Sequence, residues 1–199
     1  MNHPTDFLLL QCALDDASVL TDVASQFCTR GPVPMQLHRA AWSAQHRTAY
    51  VYGRLLSRAM LDTHVLPTLA ALWRQVCPGA HDIRISRLEL VFDSPGHSQG
   101  QPAAFHYVVE MDPDDGWMPE IERWYDTEHM PGLAAVPGCI HARRMLNHDH
   151  GPLSLACYEL TSAQVLGSPP WLAVRGTAWS DITRPHFTNT RRTMFEVLA

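Results

Sequence analysis

Two hydrophobic periods alternate along the chain, and they do so in the same order twice. Short apolar, β-branched and aromatic runs predict strands at Phe7–Leu14, Met35–Trp42, Thr48–Leu55 and Ile83–Phe92. A second set follows at Ala104–Met111, Cys139–Leu146, Leu153–Leu160 and Phe187–Val197. Between them the apolar positions recur at helical spacing near Ala17–Thr29, Ser57–Gln75, Trp117–Met130 and Ser162–Val174, the last broken near Ser168-Pro169-Pro170. The acids of Asp112-Pro-Asp-Asp-Gly116 sit where a helix dipole favours them, and Pro119 is tolerated in a first turn. Asn147-His-Asp-His-Gly-Pro152 reads as a hairpin loop.

Each half is therefore β-α-β-β-α-β, the split-βαβ unit of ferredoxin-like proteins. Residue matches support a duplication. Leu55/Leu160, Ser57/Ser162 and Leu61/Leu166 pair at an offset of 105, Val33-Pro34 and His38 pair with Val136-Pro137 and His141 at 103, and His81 and Arg87 pair with His186 and Arg192 at 105. Their order persuades more than any single match. The expected architecture is α+β: a degenerate unit over 1–95, a linker over 96–102 and a second unit over 103–199, packed as an intramolecular pseudo-dimer.

Composition narrows the function classes. A formal charge of −5 offers no basic stripe for nucleic acid. No run approaches the roughly 18 apolar residues of a membrane span, and Phe7–Leu10 lacks the basic flank of a signal peptide. The five cysteines are dispersed and never in Cys-x-x-Cys spacing, which fits free thiols in a cytoplasmic protein. No phosphate-binding loop, dinucleotide fingerprint or zinc-type histidine helix occurs, so no cofactor or metal is expected.

The densest chemistry lies in Ile121-Glu-Arg-Trp-Tyr-Asp-Thr-Glu-His-Met-Pro131. Tyr125 and His129 stand at i and i+4 on one helix face, and Pro131 is expected to stop that helix. Histidine exchanges protons near neutral pH, and a phenol hydrogen-bonds a carbonyl or an enolate oxygen. The same histidine at a helix end also suits simple capping of the last carbonyls. Glu122, one turn earlier, is placed to orient either group.

This run, followed by Val136-Pro-Gly-Cys-Ile-His-Ala-Arg-Arg144, resembles the dimeric α/β-barrel superfamily and, within it, the EthD-like branch, over roughly residues 104–198. Tyr158-Glu-Leu160, Ser168-Pro169 and Arg191-Arg192 fit the same pattern. The resemblance implies ferredoxin-like units paired through their sheets, with a pocket between sheet and helices. Related members include polyketide and lactone-handling cyclases, isomerases, decarboxylases and cofactor-free oxygenases. The first unit has Gln26 where offset 103 would place the histidine, so one site per chain is expected.

The resulting expectation is a cofactor-independent enzyme acting on a small hydrophobic carbonyl compound, with His129 as general base, Tyr125 as oxyanion donor and Glu122 as orienter. Trp124, His141, Arg143, Tyr158 and His186 are the candidate substrate contacts; the strand parity that faces the pocket is left open. The alternatives are a non-catalytic binder of hydrophobic ligands, a cofactor-free oxygenase or a haem protein. A further homodimer is compatible with the superfamily.

Overall fold

A computed structural model describes residues 2–198. The chain divides into two compact units, Met1–Leu90 with Asn147–His150 and Phe195–Ala199, and Val91–Leu146 with Gly151–Met194.

In the first unit β1 (His3–Ala13), α1 (Leu20–Arg30), β2 (Met35–Ser43), β3 (Thr48–Leu61), α2 (Val65–Val76) and the start of β4 (His81–Pro95) follow in the expected order. The strands lie side by side as β4-β1-β3-β2 and all pairings are antiparallel. β1 is hydrogen-bonded on both edges, and its residues from Phe7 to Cys12 are buried without a break. Leu8, Leu10 and Cys12 pack with Leu20, Ala24 and Phe27 of α1 and with Leu69 and Trp73 of α2. Phe27 meets Trp73 edge-on at 5.4 Å.

One expected helix starts eight residues late in this unit. β3 runs through Ser57 to Leu61 because its end pairs with the start of β1, His3 opposite Leu61 and Thr5 opposite Ala59. Ladder hydrogen bonds to an adjacent strand override a helical spacing that offers only local bonds. The helix begins at Val65, after Asp62 accepts a hydrogen bond from the His64 backbone at 2.9 Å. The Ser57/Ser162 and Leu61/Leu166 matches thus fall on unlike structure, a strand in one half and a loop or short 3-10 turn in the other.

The second unit repeats the plan with β5 (Phe105–Pro113), a helix over 118–134, β6 (Cys139–Asn147), β7 (Ser154–Leu160), a helical connection and β8 (Phe187–Val197). Its strand order, β8-β5-β7-β6, is the order of the first unit. Two helical segments depart from expectation. Pro131 does not stop the long helix, which passes from α3 (Met118–Trp124) through a π-turn (Tyr125–His129) into α4 (Met130–Ala134). Met130 N–H bonds to the Tyr125 carbonyl five residues back, so the turn widens just where proline brings no N–H, and Pro131 sits in the first turn of α4.

The connection after β7 is also not one helix. A 3-10 turn (Ala163–Gly167) leads to α5 (Pro169–Arg175), capped by the Ser168 hydroxyl, and then to α6 (Ala178–Thr183), capped by Thr177. A 3-10 turn at Arg184–His186 enters β8.

Gly138 of the Val-Pro-Gly turn has a φ of 94°, and a Cβ there would come within 2.5 Å of Val165 Cγ2. Both the left-handed backbone and the contact penalise any side chain. Gly138→Ala is expected to cost about 1–3 kcal/mol in urea denaturation; an unchanged midpoint would show that the turn relaxes freely. The five cysteines are free and buried. Among the described residues no helix is long and apolar enough to cross a membrane.

Candidate functional site

The second unit holds a cleft between its sheet and its helices. Tyr107 and Val109 of β5 alternate onto one face, and Tyr158 of β7 lies beside them. The long helix contributes Trp124, Tyr125, His129 and Leu133, and α5 contributes Trp171 and Arg175. Arg184 enters from the 3-10 turn, Phe187 and Arg192 from β8. The cleft and its mouth together take in about 390 Å³ not filled by protein atoms, counting space open to solvent.

Aromatic contacts fix the walls. Trp124 stacks on the His129 ring at 4.1 Å, and Tyr125 meets the same ring edge-on at 5.7 Å. Tyr125 lies against Phe187 at 6.0 Å, and Trp171 meets Tyr158 edge-on at 5.2 Å. The Tyr158 hydroxyl donates to Met130 Sδ at 3.0 Å. Phe187 and Arg192 are five positions apart, which strict strand alternation would put on opposite faces. Asn189 between them has a left-handed φ of 47°, its side-chain amide donating to Asp112 Oδ2 at 2.9 Å, and this break in the strand accounts for both residues reaching the cleft.

The electrostatics are one-sided. Among the described residues, the charged side chains lining the cleft are Arg175, Arg184 and Arg192, with no carboxylate. Burial first, and then the positive charges of Arg184 and Arg175, together pull the His129 imidazole down to about 3. His129 is therefore neutral at physiological pH. Its Nδ1 and the Trp124 indole Nε1 are buried with no hydrogen-bond partner among the described residues. Burial pushes the Tyr125 phenol well above its usual range against the pull of Arg144, and Tyr158 likewise, so both remain protonated donors. The Arg184 guanidinium is lowered by burial and then by Arg175 and Arg192.

His129 makes stability acid-sensitive. Below about 6.5 the unfolded chain takes up a proton that the folded chain refuses until about 3, so stability falls as pH drops through that window. At pH 5 this amounts to about 2 kcal/mol. Urea titrations at pH 7 and pH 5 should show this loss in the wild type and its absence in His129→Gln; identical pH dependence of the two would contradict it.

Of the residues singled out from the sequence, Tyr125, His129, Trp124 and Tyr158 line the cleft. Glu122 does not: it points to Arg144 at 3.6 Å, not to Tyr125 or His129. The reason is Arg144, which projects from β6 toward the helix, pairs with Asp126 at 3.1 Å and lies 5.7 Å above the Tyr125 ring. His141 and Arg143 occupy the alternate face of β6 and both bind Asp93, at 2.6 and 2.9 Å. His186 stacks on Trp117 at 3.4 Å and faces Asp114 at 3.3 Å, outside the lining. Sequence reasoning missed Tyr107, Trp171, Phe187 and the arginines as lining. Tyr107 and Val109 carried a signal in strand alternation, whereas Arg175 and Arg184 sit on helical pieces with no periodic mark.

No family model matches the chain, and no curated protein matches it by sequence. Solved structures do match in fold. An anthrone oxidase-like protein superposes with a TM-score of 0.65 at 12% identity, covering 98% of this chain and 92% of that one. A candidate monooxygenase from Lactobacillus acidophilus NCFM gives 0.62 at 12% identity, with 98% and 93% covered. A ferredoxin-fold protein from Listeria monocytogenes 4b F2365, related to antibiotic biosynthesis monooxygenases, gives 0.57 at 6% identity, with 99% and 96% covered. The fold is ferredoxin-like. At these identities the likeness concerns architecture, and one architecture hosts many chemistries.

Proposed function

We propose that the chain is a cofactor-independent enzyme of the EthD-like branch, acting on a small aromatic carbonyl compound of polyketide or lactone type. In this proposal its two units stand for the two subunits of the superfamily's dimer, with one working site. The observation that carries the reading is the aromatic cleft with a neutral imidazole, its Nδ1 without a hydrogen-bond partner among the described residues, beside a protonated phenol. A flat substrate stacks between the rings, Nδ1 of His129 takes a proton from the carbon next to the carbonyl, and Tyr125 donates to the carbonyl oxygen as it becomes an enolate.

Cyclisation, isomerisation and decarboxylation all pass through such an enolate. Capture of the same enolate by dioxygen is the oxidative variant, and the anthrone oxidase-like and monooxygenase-type neighbours favour including it. Glu122 acts in this scheme through Arg144, which lies over the Tyr125 ring.

A second reading, non-catalytic binding of a hydrophobic ligand, is favoured by the low basicity of His129. One experiment separates the two. α-Tetralone and related aromatic ketones or lactones are incubated with the protein in deuterated water, and exchange at the α-carbon is followed by NMR. Protein-dependent exchange supports enolate formation whatever step follows. Binding without exchange by any ketone or lactone tested supports the binder.

A further inference from the structure

The cleft joins two features that an apolar ligand alone leaves unexplained. Six aromatic side chains, Tyr107, Trp124, Tyr125, Tyr158, Trp171 and Phe187, form its walls, and three arginines share it with no carboxylate among the described lining residues. Arg175, Arg184 and Arg192 form no ion pair within 4 Å among the described residues, although Arg184 Nη1 donates to the Arg175 carbonyl at 3.1 Å. Like charges gathered in a partly desolvated place repel one another, and an anion between them relieves that cost; for Arg184, burial, Arg175 and Arg192 outweigh the offset from Asp181.

Burial grades the site. Arg192 is exposed, Arg175 and Arg184 are half-buried, and Trp124, Tyr125, Tyr158 and Trp171 are buried. The cationic groups therefore hold the solvent side and the rings the deep side. Two ring nitrogens, His129 Nδ1 and Trp124 Nε1, are buried with no hydrogen-bond partner among the described residues. A ligand that satisfies all of this has a flat aromatic body, polar atoms at its inner end and a negative charge at its outer end. Guanidinium forks match a planar carboxylate in two parallel hydrogen bonds.

Resting on the small-molecule reading of this cleft, the geometry points to an aromatic carboxylate as its ligand, the carboxylate held by Arg175, Arg184 and Arg192 and the ring body between Trp124, Tyr158 and Trp171. The carboxylate serves as a handle remote from the reacting carbon. Its binding energy positions the carbonyl against His129 and Tyr125.

The test compares 2-naphthoate with its neutral isostere 2-naphthamide, with affinity read by calorimetry and by quenching of tryptophan fluorescence. The wild type is expected to bind naphthoate at least about tenfold more tightly than the amide at low salt, with the preference shrinking as salt is raised. Arg192→Gln and Arg184→Gln should each weaken naphthoate by about tenfold and leave the amide unchanged. Arg192 bears the weight of the comparison, being exposed and outside any cap, so its replacement leaves the fold intact.

Equal affinity for the two probes, or naphthoate affinity indifferent to both substitutions, overturns the proposal while leaving the cleft as a hydrophobic ligand site. Failure of both probes to bind overturns it together with the small-molecule reading. His129→Gln is expected to retain the naphthoate preference, so a missing catalytic role for His129 is distinguishable from a missing anion site.

Discussion

In His129→Gln, α-carbon exchange is expected to fall by about 10²–10⁴-fold while ligand affinity stays within a few-fold of wild type. Glutamine keeps a hydrogen-bonding group near the position of Nδ1 but accepts no proton near neutral pH. An imidazole held down to about 3 is by itself a weak base, and its usefulness depends on what the reaction creates. In the proposed reaction, as the proton moves to Nδ1, negative charge grows on the substrate oxygen beside it, so the imidazolium forms next to an anion in a largely buried place. The same enolate offsets the repulsion from Arg184 and Arg175 that lowers the imidazole. The interaction is thus stronger in the transition state than in the ground state, which is the condition for catalysis. Wild-type exchange in the variant would remove His129 from the chemistry.

The largest stability effect is expected at Asp149→Ala, about 3–5 kcal/mol in urea denaturation. Arg87 is 1% exposed, and its Nε and Nη2 donate to the two Asp149 carboxylate oxygens at 3.0 and 2.8 Å. The Arg87 backbone N–H adds a third bond to Asp149 at 2.8 Å. Burial pushes the Asp149 carboxyl up, but the bonds from Arg87 outweigh it and hold the group below its usual value. Removing the carboxylate takes three hydrogen bonds from a buried arginine, whose Nη1 keeps its bond to the Leu61 carbonyl at 2.6 Å. A loss under about 1 kcal/mol would mean that water enters and solvates Arg87.

Much of this architecture was legible because it depends on local patterning. The alternating runs located all eight strands, and the repeated order of elements matches the shared strand order of the two units. Gln26 is exposed on α1, next to the buried Phe27 and Cys28, whereas His129 is buried, so the offset of 103 pairs residues in unlike surroundings. What stayed illegible depends on long-range competition. Ser57–Leu61 became strand because β1 offered a pairing edge, a fact not contained in the segment itself.

The site was half legible for the same reason. Helical spacing placed Tyr125 and His129 together, although the helix there is a π-turn that continues through Pro131. Parity along β6 was the open question, and Arg144 rather than His141 or Arg143 turns toward the helix. The positive side of the cleft comes from Arg175, Arg184 and Arg192, which are scattered over three elements and converge only in the folded unit.

The left-handed residue at Asn189 gives the closing strand an unusual evolutionary lever. Side chains on a strand are sorted to two faces by counting, and one extra or missing residue exchanges the sets. Here the count is offset between Phe187 and Arg192 by a single backbone irregularity tied to Asp112. An insertion or deletion of one residue at that point swings the outermost arginine away from the cleft without touching the Tyr125–His129 helix. On the proposed reading of the cleft, descendants of one ancestral sequence can therefore trade charged for neutral ligands in one genetic step, while Tyr125 and His129 pass down unaltered.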